Sequence, residues 1–521
     1  MKNKILKKIL DYFEEFYKIK NEKNIILVER FDYLPSLINF ALVTNVLSDI
    51  HKAKIISYYP SSLGFINLLN IKLKNILLKN SIDYLYNKFG VTECVRPKLK
   101  TNYKTNIYFK NKNSIQNFKY KKILIGDLMY DEFLRSNNKI TINLDDKDFS
   151  KHVKKTIELF EFWYDYLNSN PVKSLVVSHA VYNMGIIIRI AIKFNIPVYY
   201  TGPNGLYYFS KFNLSRHSKY IYKNYRTFFQ KIKKNVKSRI LKQSKETLNT
   251  RFEGKKDIKL LLDRETKNKS FTKKISFSEN KKNKNKKTKI LIQAHQLNDA
   301  VHAYGKSIFP DFYEWLNCLG KLSEKTDFEW FIKIHPSEFK KNLIHFINFK
   351  KQYPKFKILN SSVSNSDLIE KKKIDLVTTV YGSGGHEFPL FGIPVINASN
   401  NGPHIGYNFN FNSKDKLHYI KLIKNSDKLK HKKINNKKIY EFYALRFLME
   451  YSPIDNQQFY VNKYGKNFMD NYISIFLNQI TSKKQYELSS EIKHFVKSKK
   501  FRMFVDRTNE KNLYLKNLQN V

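Results

Sequence analysis

Apolar residues along this chain fall into short unbroken runs separated by longer amphipathic stretches, and that rhythm predicts alternating strands and helices. Asn24–Glu29 (NIILVE) is the first such strand. A helix from Pro35 to Ser48 follows, its proline in the first turn, where no amide hydrogen is needed. Ala53–Tyr58 is the second strand. The alternation continues through a strand at Lys122–Ile125, a helix over 148–168, a strand at Ser174–Ser178, a helix from Tyr182 to Phe194 and a strand at Pro197–Tyr200. A second series runs through Ile290–Gln293, a helix at Phe309–Leu322, and strands at Phe328–Ile334, Phe356–Leu359, Leu376–Thr379 and Pro394–Asn397. Runs that are apolar throughout suit strands buried on both faces of a parallel sheet. Strand–helix–strand repetition of this kind predicts an α/β chain with two tandem, doubly wound, Rossmann-like domains facing across a cleft.

The remaining segments divide the chain. Residues 1–22 form an amphipathic helix with Ile5, Ile9, Tyr12, Phe13 and Phe16 on one side, expected to pack on the first domain. The domains themselves are expected at 23–219 and 290–434. Between them, 220–289 reads as a basic linker or helical excursion ending in KKNKNKKTK, and 435–521 as C-terminal helices.

Charge sharpens this picture. Of 521 residues, Lys and Arg number 95 against 45 Asp and Glu, a formal net charge of +50. Such a field attracts polyanions. The lysines are nevertheless spread throughout and mixed with Asn and Ile, with their densest run in the linker. A nucleic-acid surface needs basic residues interleaved with aromatics on one face, so no nucleic-acid partner is expected. An anionic membrane surface is a secondary partner, each nearby Lys contributing about 1 kcal/mol. Cys94 and Cys318 are too few for a disulfide framework or a cysteine-rich zinc site. No apolar run approaches the roughly 20 residues of a spanning helix, and the N-terminus lacks a signal-peptide core. The expectation is a cytoplasmic protein, peripheral on the inner face of the cell membrane.

Ligands of open parallel sheets bind beyond the strands' carboxyl ends, so polar residues directly after strands are the candidates. Asp375–Glu387 (DLVTTVYGSGGHE) carries Thr379, then Gly382, Ser383, Gly384 and Gly385, then a helix holding Glu387 in its first turn. Hydroxyls and amide hydrogens in such a turn suit a phosphate, and Glu387 suits a ribose. FIKIHPSE ends a strand at His335, with Pro336 stiffening the exit, which fits a phosphate ligand or proton donor. LIQAHQLNDAVHAYG repeats the layout with His295, Asp299 and His302. Their spacing matches no zinc motif, and no metal is expected. Asn397 ends the next strand, and His404 lies in a loop that would cover a nucleotide. In the first half, Asp32, Asp127 and Asp131 are candidates for a general base, and the sequence does not rank them. Glu29, Arg30, His179, Tyr182 and Asn204 also follow strands and are expected on the acceptor side.

Two tandem Rossmann-like units with these motifs resemble GT-B glycosyltransferases. IKIHPSE, followed about forty residues later by TTVYGSGGHEFPLFGIPVINAS, resembles bacterial capsule and surface-polysaccharide biosynthesis proteins. Among these are the sialyltransferase-like and Kdo-transferase-like enzymes, which share an HP motif and a later Ser/Thr-rich turn. The similarity spans 290–410 well and 24–205 loosely. It implies His335 and Pro336 as the HP pair and Thr378, Thr379 and Ser383 as the phosphate turn. It further implies metal-independent transfer, without a separate cofactor, from a CMP- or UDP-linked sugar to a glycan or lipid-linked acceptor of capsule or lipopolysaccharide. A teichoic-acid-type polyol-phosphate transferase, a nucleotide-sugar epimerase and a basic nucleic-acid-binding protein are the alternatives.

Overall fold

The apolar runs become two six-stranded sheets in the computed structural model, which describes residues 2–31, 33–61, 82–99, 107–253, 287–509, 511–516 and 518. The first half contributes β1 (Asn24–Glu29), β2 (Ala53–Tyr58), β3 (Val91–Val95), the short β4 (Lys119–Tyr120) and β5 (Ile123–Leu124), then β6 (Val172–Val177), β7 (Val198–Thr201) and β8 (Leu206–Phe209). The main sheet has the order β3-β2-β1-β6-β7-β8, parallel except for β8, which runs antiparallel to β7. The second half contributes β9 (Lys289–Gln293), β10 (Glu329–Lys333), β11 (Phe356–Leu359), β12 (Leu376–Thr379), β13 (Val395–Asn397) and β14 (Phe411–Asn412). Its order is β11-β10-β9-β12-β13-β14, parallel throughout. Helices cover the sheets, so the chain has the two Rossmann-like units expected of it. Strand order reverses between β1 and β6 and between β9 and β12. Such switch points open a crevice beyond the carboxyl ends of the flanking strands.

One expected strand is corrected. Lys122–Ile125 does not join the main sheet; its centre pairs antiparallel with Lys119–Tyr120 in a tight hairpin. Lys121 and Lys122 both adopt positive φ, at 45° and 65°. That is the backbone of a two-residue hairpin turn, made here without the usual Asn or Gly. Asp127 and Asp131 therefore lie on the following helix, Gly126–Ser136, rather than at the end of a core strand.

The N-terminal helix, Lys2–Phe16, buries Ile9, Tyr12 and Phe13. Phe13 meets Phe89 of the first unit at 5.5 Å between ring centroids, and Tyr12 meets Phe476 at 5.4 Å. Its apolar stripe is thus used inside the protein. The C-terminal helix Ser482–Ser498 returns to pack on helix Leu34–His51 of the first unit. In the basic excursion, Lys219–Lys223, Tyr225–Lys231 and Lys234–Phe252 are helices, and Phe252 packs on Phe391 of the second unit at 4.8 Å. Most of the KKNKNKKTK run lies outside the described residues. Among the described residues no helix is long and apolar enough to cross a membrane.

Candidate active site

At the β9/β12 switch point, the turn after β12 wraps around His295. The imidazole lies flat on Phe312, with centroids 4.5 Å apart and planes 10° apart. Its Nε2 accepts the amide hydrogens of Val380 (3.3 Å) and Tyr381 (3.4 Å) and lies 3.1 Å from Thr379 Oγ1. An accepting Nε2 carries no proton. Burial, reinforced by nearby His335, pushes the pKa down to about 3, so His295 stays neutral. His335 follows β10 at the same end of the sheet, its Nδ1 accepting the amide hydrogen of Ser337 beyond Pro336 at 3.1 Å. The sequence motifs therefore do meet.

Part of the glycine turn is engaged within the protein itself. Four of its amide hydrogens bond inward: Gly382 to Thr379 Oγ1 at 3.3 Å, Gly385 to the Gly382 carbonyl at 3.0 Å, and His386 and Glu387 to the Ser383 carbonyl at 3.0 and 3.2 Å. A Cβ on Gly384 would stand 1.8 Å from Gln293 Oε1, and one on Gly385 would stand 2.3 Å from His404 Cε1. Close packing against the protein's own side chains explains both glycines. The helix after them is a single turn, Gly384–Glu387, continuing as a 3₁₀ turn.

Glu387, expected to hold a ribose, is instead 1% exposed and paired with Arg251, whose Nε donates to Oε1 at 2.8 Å. Arg251 comes from the basic excursion, so that segment plugs the back of the turn. His404 is also interior: its Nε2 lies 3.3 Å from His386 Nδ1, and its ring packs on Phe442 at 4.9 Å. Asn397 donates to Asn412 Oδ1 at 2.8 Å, joining the ends of β13 and β14.

The space itself lies between the two units. A cleft of about 700 Å³ is lined by Asp127, Arg189 and Ala180 from the first and by His302, Lys306 and Asn401 from the second. At its wall stands a buried pair assembled from both halves. Asp131 Oδ1 lies 2.7 Å from His302 Nδ1, and Asp131 Oδ2 accepts the His302 amide hydrogen at 3.0 Å. Burial opposes a charge on His302, but Asp131, helped by Asp127 and Asp311, overcomes it and raises the imidazole's pKa. His302 Nε2 is buried with no hydrogen-bond partner among the described residues. A donor or acceptor left orphaned in this way is costly, and His302 also lines the cleft, which makes its imidazole a candidate contact there.

Asp127 has a different role. Burial disfavours its charge, yet Arg189 grips it through two bonds, 2.5 and 2.7 Å, and holds its pKa below the ordinary carboxylate value. It is a counterion and a poor base. Asp32 lies outside the described residues.

Beyond β1 and β6, at the other switch point, Glu29 accepts the Ser178 amide hydrogen at 2.6 Å and the Ser178 hydroxyl at 2.8 Å. Ser178 Oγ lies in turn 2.7 Å from His179 Nδ1. Burial raises the Glu29 pKa to about 7 despite these hydrogen bonds. A carboxylate poised there can exchange a proton at neutral pH. Arg30 donates to Ser57 Oγ at 3.0 Å and lies over Tyr86, which occupies it structurally. Tyr182 of the first unit donates to Asp299 Oδ1 of the second at 2.8 Å. Asn204 lines a second, smaller cavity.

Arg189 and Arg251 were not among the sequence candidates. Arg189 left a signal, as a lone cation in the apolar helical run GIIIRIAI. Arg251, in a Lys-rich helix, left none.

No family model and no curated protein matches the chain. Among solved structures it is similar to a UDP-GlcNAc 2-epimerase from Neisseria meningitidis bound to UDP-GlcNAc, at 11% identity over 81% of this chain and 97% of that one (TM-score 0.24). It is also similar to a beta Kdo 2,4 transferase, KpsC, from Thermosulfurimonas dismutans, at 12% identity over 52% and 79% (TM-score 0.30). A glycosyltransferase from Rickettsia africae shares 10% identity over 91% and 99% (TM-score 0.27). Likenesses this distant leave the functional reading to the site itself.

Proposed function

We propose that the protein transfers a sugar from a nucleotide-activated donor to a hydroxyl of a surface glycan or lipid-linked acceptor, in the cleft between its two sheets. The observation that carries this reading is the Asp131–His302 pair on the wall of the 700 Å³ cleft. One partner comes from each unit, His302 lines the cleft, and its second imidazole nitrogen is buried with no hydrogen-bond partner among the described residues. Lys306 supplies positive charge in the same cleft.

Chemically, the bond between the sugar's anomeric carbon and the donor phosphate breaks as the acceptor oxygen bonds to that carbon. Negative charge develops on the departing phosphate. A protonated His302, held by Asp131, donates Nε2–H to it, and hydrogen bonds aimed at developing charge are the largest contribution available to such a site. The acceptor hydroxyl's proton passes to a base off the first sheet. Asp127 is held by Arg189 and Asp131 by His302, which favours Glu29 through the Ser178–His179 chain. The donor is a cytidine or uridine nucleotide sugar, and the product belongs to capsule or lipopolysaccharide assembly on the cytoplasmic face of the membrane. The resemblance of IKIHPSE and TTVYGSGGHE to enzymes of that kind supports this placement.

A thermal-shift screen against UDP, GDP, CDP and CMP identifies the nucleotide, because a ligand of the native state raises the melting temperature by mass action. Product analysis with the matching sugar nucleotide then tests the reaction. Sugar transfer with release of free nucleotide is expected. Turnover without an acceptor would make the protein an epimerase, and transfer of phosphate together with a polyol would make it a polyol-phosphate transferase.

A further inference from the structure

A second cavity, of about 320 Å³, lies beyond the carboxyl end of β7 and is closed by the C-terminal segment around Arg446. That volume suits one sugar ring, at the lower end of small-molecule sites. Its walls are aromatic, with Tyr200, Tyr207 and Tyr225 among them. Faces of this kind pack against the C–H face of a pyranose.

Two guanidiniums face this cavity. Arg216 lies over the Tyr200 ring at 5.1 Å and donates to His217 Nε2 at 3.2 Å. Arg446 donates to the hydroxyls of Tyr222 and Tyr304, the latter at 3.2 Å. Neither has a carboxylate partner among the described residues. The cavity's acid, Glu450, accepts the Tyr207 hydroxyl at 2.7 Å and faces Arg502 at 3.9 Å on its other side. Burial and the two arginines keep His217 neutral. Asn204, 6% exposed, lines the same cavity with its Nδ2 buried and unpartnered among the described residues. Two guanidiniums without an ion-pair partner among the described residues, sharing the one nearby carboxylate of Glu450 with Arg502, and an unused amide donor thus converge on one sugar-sized space.

We propose that this cavity binds an acidic sugar unit, its carboxylate or phosphate held by Arg216 and Arg446 and its ring against the tyrosines. Planar guanidiniums match either oxyanion through paired hydrogen bonds. Identifying that sugar as the acceptor's end rests on the transferase reading; the anion site itself does not. Placement at the first sheet's carboxyl edge, where Glu29 and His179 also stand, favours the acceptor over the donor.

Calorimetric titration of the full chain with glucuronate, glucose 1-phosphate and neutral glucose tests the site, alongside UDP and CMP. At least one anionic probe is expected to bind where glucose does not, and the tighter of the two distinguishes carboxylate from phosphate. Arg216 is exposed at the cavity, so Arg216→Gln should fold normally, weaken that anion by about tenfold or more and leave nucleotide affinity unchanged. The proposal is overturned if both anions bind no better than glucose, if Arg216→Gln leaves anion affinity intact, or if it costs nucleotide affinity instead. Failure of all nucleotides to bind, with Arg216-dependent anion binding retained, would reject the transferase and keep the site.

Discussion

Replacing Asp131 by Asn tests whether the cross-unit pair sets the charge of His302. Wild-type His302 sits in a buried setting that opposes protonation, and Asp131, with Asp127 and Asp311 more distant, keeps its pKa above the ordinary 6.5. Removing one partner of a buried pair costs about 3–5 kcal/mol, and an isosteric Asn that still accepts one hydrogen bond should fall near the lower figure. Because the folded-state pKa is raised, the stabilisation is complete below 6.5 and is lost as pH rises through the folded value. Asp131→Asn should flatten that slope. If protonated His302 serves the leaving phosphate, wild-type turnover persists through neutrality, whereas in Asp131→Asn the alkaline limb moves to acid pH and activity returns only there. His302→Gln should lower turnover by about 10²–10³ wherever wild-type His302 is protonated, and remove the alkaline limb that His302 sets. Nucleotide release measured against pH, with a melting curve at each point, reads all three effects. An unmoved limb in Asp131→Asn, or near-wild-type turnover in His302→Gln, would refute the reasoning.

Other consequences follow from single contacts. Glu29 holds its proton up to about 7 in the folded chain and releases it near 4.5 when unfolded, so stability should fall as pH rises between those values. The loss is about 3 kcal/mol; Glu29→Gln should abolish this pH dependence in denaturant titrations at pH 5 and 8 and, if Glu29 is the base, depress turnover. Gly384→Ala drives a Cβ into Gln293 Oε1 and should cost about 1–3 kcal/mol in urea unfolding, most of it recovered by adding Gln293→Ala. Arg251→Met strands the buried Glu387 carboxylate and should cost about 3–5 kcal/mol, while Arg251→Met with Glu387→Leu should melt closer to wild type.

Strands buried on both faces were the most legible part of the chain. β1, β2 and β12 have the bounds their apolar runs imply, as does the apolar edge strand β11. The other edges were not: β3 (VTECV) alternates and is half exposed, β8 runs antiparallel, and β14 has two residues. The Lys122–Ile125 hairpin escaped notice because two lysines take positive φ where glycine or asparagine would have announced a turn. In the site, position after a strand correctly brought His295, His335 and Thr379 to one sheet end, since strand ends are local facts. Position alone does not say whether an amide points outward to a phosphate or inward to a carbonyl, and the glycine turn depends on that. The pairs that define the chemistry are separated by 171 residues for Asp131 and His302 and by 136 for Arg251 and Glu387. Each residue can be suspected singly, but only packing joins them.

The geometry of one helix shows how the units are registered. Asp127, Tyr130 and Asp131 in Gly126–Ser136 are spaced by three and four, which places them on one face. Tyr130 donates to Asp311 at 2.6 Å and Asp131 meets His302 at 2.7 Å, both in the second unit, while Asp127 anchors Arg189 within the first. Asp311 also caps its own helix by accepting the Glu314 amide hydrogen at 2.7 Å, so the contact is fixed to a rigid element at each end. Beyond this helix, Asn138 bonds both Asn298 and Asn342. Buried polar contacts of this kind contribute little net stability when satisfied but penalise any shift that leaves them unpaired. A sliding of the units would orphan several at once. The same restraint that sets the domain register therefore also fixes the imidazole in the cleft.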